Sequence, residues 1–262
     1  MPNTGTPVRF EKGVSTDAAY GPLRAFGLPH PFNYHYWEDD FELSPGVTGI
    51  YTQTKTGNGT IAVAAGDGGR ALFTTNSSTP AVGDICSIQL PAASFKMVAG
   101  YRAWYMVRLQ LADITNPALL VGLIQTTATP FTVVDGIYIS KASASTNLVA
   151  NCVVSSANVG SATVAAATSR LTAAQDIDLA FHLTRTGEVE VYMGSNLVFV
   201  PQSGTGSVNS AGVSNLPVVG PVARFTPTSL PSANLNLTVA VQSGTASSKT
   251  MNADFVMAAK ER

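Results

Sequence analysis

A chain of 262 residues carrying 15 basic and 16 acidic side chains has a formal net charge of -1. That balance excludes the concentrated Lys and Arg by which nucleic-acid binders displace counterions. Charged residues are only 12% of the chain, against roughly 25% in an ordinary soluble domain, so small polar residues must dominate the surface. Such a surface suits a subunit covered in an assembly, and equally a plain secreted β-protein. No apolar run approaches the roughly 18 residues of a membrane span. The start, Met1-Pro-Asn-Thr-Gly-Thr6, lacks the basic and apolar regions of a signal peptide. A soluble protein made in the cytoplasm, with no membrane partner, is expected.

Residues 1–36 read as an extended N-terminal arm. Pro2, Pro7, Pro22, Pro29 and Pro31 break regular structure, while Phe10, Tyr20, Phe26, Phe32, Tyr34 and Tyr36 supply apolar rings that a flexible linker would avoid. Those six rings are predicted to be anchors gripping a neighbouring subunit; the alternative is an arm wrapped on its own body. A β-sandwich domain is predicted over 37–262, opening at Trp37-Glu-Asp-Asp-Phe-Glu-Leu43. Short strands follow near 48–54, 60–65 and 70–75.

From Tyr101 to Asp113 the alternation is long: Ala103, Tyr105, Val107, Leu109 and Leu111 face one way, and Arg102, Trp104, Met106, Arg108 and Gln110 the other. Strands at 121–126, 136–140, 148–154 and 162–166 come next. Ile177, Leu179, Phe181 and Leu183 alternate cleanly, and 187–200 reads as a hairpin about Gly194-Ser-Asn196. After a Gly/Ser/Pro-rich excursion at 201–233, two strands close the chain, one through Leu235, Leu237, Val239 and Val241, the other through Met251, Ala253, Phe255 and Met257. Helix is scarce. The fold class expected is all-β, a two-sheet antiparallel jelly-roll sandwich with an N-terminal arm. The two cysteines, Cys86 and Cys152, fall inside apolar alternating stretches and read as free thiols.

Several stretches together carry a resemblance. They are the Asp39-Asp-Phe41 opening, Tyr101-Arg-Ala-Trp-Tyr-Met-Val-Arg108, Gly122-Leu-Ile124, Asp135-Gly-Ile-Tyr-Ile139, Gly187-Glu-Val-Glu-Val-Tyr192 and the closing Met251-Asn-Ala-Asp-Phe-Val256. In this order they resemble the concanavalin A-like (lectin/glucanase) sandwich of tailed-bacteriophage structural proteins, over residues 37–262. The resemblance implies a virion component, a capsid decoration or cement protein, with the arm outside the matched region.

The sharpest enzymatic lead is Glu38, Asp40 and Glu42, spaced to share one strand face. Retaining glycosidases place two carboxyls about 5 Å apart, and laminarinase-type members of the resembling fold use a Glu-x-Asp-x-Glu run. Here the run opens the first strand rather than a central one, so a solvated strand face is the competing reading. The same cluster with Asp254 would offer oxygens to Ca²⁺. His30, His35 and His182 have no metal spacing, and Gly66-Asp-Gly-Gly-Arg70 lacks the Lys and helix of a phosphate loop. Trp104, Met106 and Arg108 would stack a sugar, anchor a protein interface, or lie buried under the loop excursion.

The expectation is therefore a non-enzymatic virion protein without cofactor or metal, assembled in the host cytoplasm onto the capsid surface. Its partners would be the major capsid protein and further copies of itself. A carbohydrate-binding adhesion module with a glycan partner is the alternative, and a laminarinase-like glycoside hydrolase the third reading.

Overall fold

Alternation over successive short segments folds here into paired sheets. The structure, a computed structural model, describes residues 34–42, 47–64, 69–164, 171–194 and 221–262, and the backbone of two paired short strands, β1 (Val8–Arg9) and β2 (Ser15–Thr16). Next in chain order are β3 (Tyr34–Asp39), a single helical turn α1 (Val47–Ile50), β4 (Thr52–Lys55), β5 (Thr60–Ala64), β6 (Arg70–Thr74), β7 (Ile85–Gln89) and β8 (Phe95–Lys96). Then come β9 (Ala103–Leu111), β10 (Ala118–Ile124), β11 (Gly136–Lys141), β12 (Leu148–Val154) and β13 (Ala157–Val164). The chain continues with β14 (Asp176–Leu183), β15 (Val189–Gly194), β16 (Ala223–Phe225), β17 (Asn234–Gln242) and β18 (Thr250–Glu261).

Two eight-stranded antiparallel sheets result. The first runs β13-β12-β11-β10-β17-β7-β4 with β8 also on β17; the second runs β16-β15-β14-β9-β18-β6-β5 with β3 also on β18. The all-β antiparallel sandwich is as expected. Ala103, Tyr105, Val107, Leu109 and Leu111 of β9 all enter the shared core, as do Ile177, Leu179, Phe181 and Leu183 of β14. Tyr105 stacks on Phe181 at 5.6 Å, and its hydroxyl crosses to the other sheet to donate to the Thr238 carbonyl at 3.0 Å. The polar tip of a buried ring is thereby satisfied. Cys86 and Cys152 are free and buried, with three strands between them in the first sheet.

Four details depart from the sequence reading. The first strand of the two large sheets, β3, begins at Tyr34, which pairs with Glu261, so Tyr34 and Tyr36 belong to the sheet. The segment expected as a strand at 48–54 instead begins with the turn α1 before β4. The strand expected at 162–166 starts earlier, at Ala157. Most consequential is a bulge between Ala253 and Phe255 in β18. Met251 and Ala253 face the main core, but beyond the extra residue Val256 and Ala258 take the inward places, and Met257 and Ala259 join a second cluster with Phe255 packed against it. One inserted residue reverses the facing of all that follow.

Gly122 shows how tightly the first sheet is set. It lies mid-strand in β10 at φ +154, and a Cβ there would fall 2.5 Å from the Tyr138 Cα and 2.6 Å from the Ile137 carbonyl oxygen. Those are backbone atoms of the paired strand, which cannot swing aside. Gly122→Ala is expected to cost about 1–3 kcal/mol, seen as a lower urea midpoint at unchanged slope. An unmoved midpoint would contradict the packing described.

Candidate functional site

The second sheet turns its other face away from the core, and chemistry-bearing side chains gather there. β14, β9 and β18 lie side by side at its centre, so their registers fix which residues meet. His182 pairs with Trp104 and Trp104 with Ala259, which pairs with Tyr36 of β3. The His182 and Trp104 rings stack at 5.1 Å and 9°, Tyr34 meets Trp104 edge-on at 6.2 Å, and the Arg102 guanidinium lies 5.2 Å from the indole centroid. Trp104 is thus only 3% exposed and Met106 only 5%, in a cluster with Ala180, Met257 and Ala259. Both faces of β9 are buried.

Polar groups surround this cluster in three networks. On one side Glu190 meets His182 Nδ1 at 3.2 Å, accepts from the Tyr192 hydroxyl at 2.8 Å and pairs with Arg224 at 3.1 Å. The hydrogen bond to His182 above all, helped by Tyr192, holds its carboxyl below the usual range despite burial. On the other side Arg108 grips the fully buried Asp178 through two nitrogens, at 2.7 and 3.2 Å. Arg70 pairs with Asp176 at 2.9 Å and reaches Asp254 at 3.5 Å, while Arg108 lies 3.9 Å from Asp254. Asp254 is the extra residue of the β18 bulge and, next after inward Ala253, stands on the outer face with the network. Burial nonetheless pushes its pKa up, against the pull of Arg70 and Arg108. At the end of the sheet, Glu261 binds both Arg102 and Arg185. Burial opposes its ionisation, but hydrogen bonds from Arg185 and Arg102 win and hold its pKa down to about 2.

The proposed carboxylate triplet does not assemble on one face. β3 ends at Asp39, and Phe41 takes a positive φ of 57°, so exposed Glu42 leaves the strand direction. Glu38 stays on the sheet opposite Met257, its pKa raised by burial and then by Asp40. Asp39 points elsewhere, accepting from the Tyr51 hydroxyl and the Phe41 amide, both at 2.8 Å. Among the described residues no three His, Cys, Asp or Glu side chains gather to hold a metal. No helix among them is long and apolar enough to cross a membrane.

Of the residues singled out from sequence, Trp104, Met106 and Arg108 do share one face, and Tyr34 packs beside them. Tyr36 projects from the same row, 38% exposed. Phe10, Tyr20, Phe26 and Phe32 lie outside the described residues, as does the chain beyond Gly194 that was expected to complete a hairpin. Sequence reasoning missed His182, Glu190, Tyr192 and Arg224 as a group, and Arg70, Asp176, Asp178 and Asp254 as partners of Arg108. Their signal was present only as outward positions on alternating strands, without register.

No protein-family model and no curated protein matches the chain. Solved structures do. A protein of unknown function from Shewanella oneidensis MR-1 superposes with a TM-score of 0.57 at 14% identity, over 98% of this chain and 97% of that one. Arcelin-5, a lectin-like defense protein from Phaseolus vulgaris, gives 0.52 at 8% identity over 87% of this chain and 99% of that one. The Bacillus licheniformis β-glucanase gives 0.52 at 10% identity over 85% and 97%. At such identities the likeness is one of fold alone, and the fold is the concanavalin A-like lectin/glucanase jelly roll.

Proposed function

We propose that this chain is a non-enzymatic structural protein of a tailed-bacteriophage virion, a decoration or cement protein that binds and stabilises the major capsid protein lattice. One observation carries the non-enzymatic half. The carboxylates at the centre of the outer sheet face are held by guanidinium groups, with Asp178 fully buried against Arg108, and Trp104 and Met106 are packed away beside them. A glycosidase needs an acid and a base free to act on substrate, whereas paired charges and buried rings make a rigid face. The virion half is supported by the sequence resemblance and by the aromatic arm, whose Phe10, Tyr20, Phe26 and Phe32 would bury apolar area on a neighbour at about 25 cal/mol per Å². Repetition of one contact around a symmetric shell, with copies of this chain bound alongside each other, multiplies its effect. The site of action is the capsid surface, after assembly in the host cytoplasm.

Because β3 begins at Tyr34 and pairs with β18, the informative truncation removes residues 1–33 rather than 1–36. The truncated chain is expected to keep a cooperative thermal transition while its affinity for purified capsids falls by at least tenfold, about 1.4 kcal/mol, in co-sedimentation. Undiminished capsid binding would sink the arm's role. A carbohydrate-binding module is the second reading, favoured by the exposed Tyr36 in the Trp104 row; specific signals on a glycan array would favour it over the cement.

A further inference from the structure

At one end of the sandwich the turn after β8, the turn between β14 and β15, and the chain between β16 and β17 enclose an open groove of about 630 Å³. Its apolar lining includes Met97, Val98, Pro227, Leu230 and Pro231. Six large apolar side chains are exposed among the described residues, and two of them, Val98 at 39% in the lining and Tyr101 at 43% outside it, belong to the single turn 98–101. An apolar-lined concavity with an exposed apolar turn at its edge marks a binding surface more than single scattered side chains do.

The charge around it is one-sided. Lys96 is the charged residue in the lining. The ring of its neighbour Phe95 packs on His35 at 4.9 Å, and His35 pairs across β3–β18 with Lys260, two residues before Arg262. Lys96, Lys260 and Arg262 are therefore brought together from both sheets. Lys260 registers this, its pKa lowered by burial and then by Lys96 and Arg262, and His35 is lowered by burial, Arg262 and Lys260. No carboxylate among the described residues pairs with any of the three. Glu261 points to the other face and is held by Arg102 and Arg185, and Glu188 sits at the base of the adjoining turn. Three of the lining residues offer no free amide: Pro227 and Pro231 have no N–H, and the Thr228 amide donates to the Val159 carbonyl at 3.0 Å. The apolar lining and the cations beside it are what would hold an occupant.

We infer that this groove receives an extended, acidic segment of a partner protein, its apolar side chain over Leu230 and Val98 and its carboxylates on Lys96, Lys260 and Arg262. The inference rests on the virion reading, with the segment belonging to the capsid protein. A capped Glu-Leu-Glu-Leu-Glu peptide carrying a fluorophore is the probe, followed by anisotropy against the full chain. Binding is expected at low salt, at least tenfold weaker at 0.5 M salt, and at least tenfold weaker for Lys96→Glu/Arg262→Glu. Both replaced side chains are exposed, so the thermal midpoint should hold. Binding that ignores the double reversal, or no binding at millimolar peptide, overturns the groove. Capsid co-sedimentation of the same proteins separates the two ideas. Peptide binding lost on reversal, beside a wild type that ignores capsids, removes the virion reading and leaves the groove standing. Capsid binding that survives reversal removes the groove as the capsid contact.

Discussion

Arg108→Ala is expected to lower the free energy of unfolding by about 3 kcal/mol, the lower end of what breaking a buried ion pair costs. Asp178 is the reason. It has no exposed surface, and Arg108 closes on it with two short hydrogen bonds. Without the guanidinium the carboxylate must stay charged in a poorly solvated place or take up a proton, and either is costly. The lower end applies because the Arg108 side chain keeps 31% of its surface in water. Asp254 and Asp176 add to the effect, since both bear on the same arginine. Replacing both partners by apolar residues, Arg108→Met with Asp178→Leu, is expected to recover most of the loss, because no charge then remains to be buried. Urea denaturation of the two single variants and the double one measures this as a cycle. A loss under about 0.5 kcal/mol for Arg108→Ala, the range of ordinary surface changes, would mean that the pair does not hold the sheet face.

The same arginine shows where the sequence was legible and where it was not. The alternation of β9 and β14 is visible in the chain because each strand's inward set, such as Tyr105 and Leu109 or Leu179 and Phe181, must be apolar to enter the core. Outward positions have no such constraint. Arg108 and Asp178 both stand in outward sets, yet they are 70 residues apart, and only the register Asp178↔Arg108 makes them partners. The Asp254 bulge was invisible for a related reason: one extra residue changes no composition, and the alternation Met251, Ala253, Phe255, Met257 looks unbroken across it. The Glu38, Asp40, Glu42 triplet failed on backbone geometry, since a positive φ at Phe41 is rare for an aromatic residue and no local motif announces it.

Lys141→Ala is the second large effect expected. Lys141 sits in β11 at 1% exposure, and its ammonium donates to the carbonyls of Thr115 at 2.9 Å, Pro117 at 2.6 Å and Ala142 at 3.3 Å. It therefore ties down the connection between β9 and β10, beside the Ala144 amide that donates to the Thr115 carbonyl at 3.1 Å. Alanine would take the ammonium from all three carbonyls, of which Thr115 and Ala142 keep the Ala144 and Ser145 amides at 3.1 and 3.3 Å, and would leave a void where the stem lay, a loss of about 3 kcal/mol. Lys141→Met keeps the stem and isolates the ammonium's share, about 1–3 kcal/mol. The pH dependence gives an independent check. Burial pushes the Lys141 pKa from 10.5 down to about 8, against the pull of Asp113. Below that lower value both folded and unfolded chains carry the proton, and the stability difference between wild type and Lys141→Met is flat. Between the two values the folded chain has released its proton while the unfolded chain still holds it, so the unfolded state binds more protons and wild-type stability rises with pH relative to the methionine variant. Urea midpoints taken at pH 7, 9 and 10 should show that gap widening. A gap that stays flat over the same range would place the ammonium in water, and one that narrows would mean that the carbonyls favour the charged form more than burial opposes it.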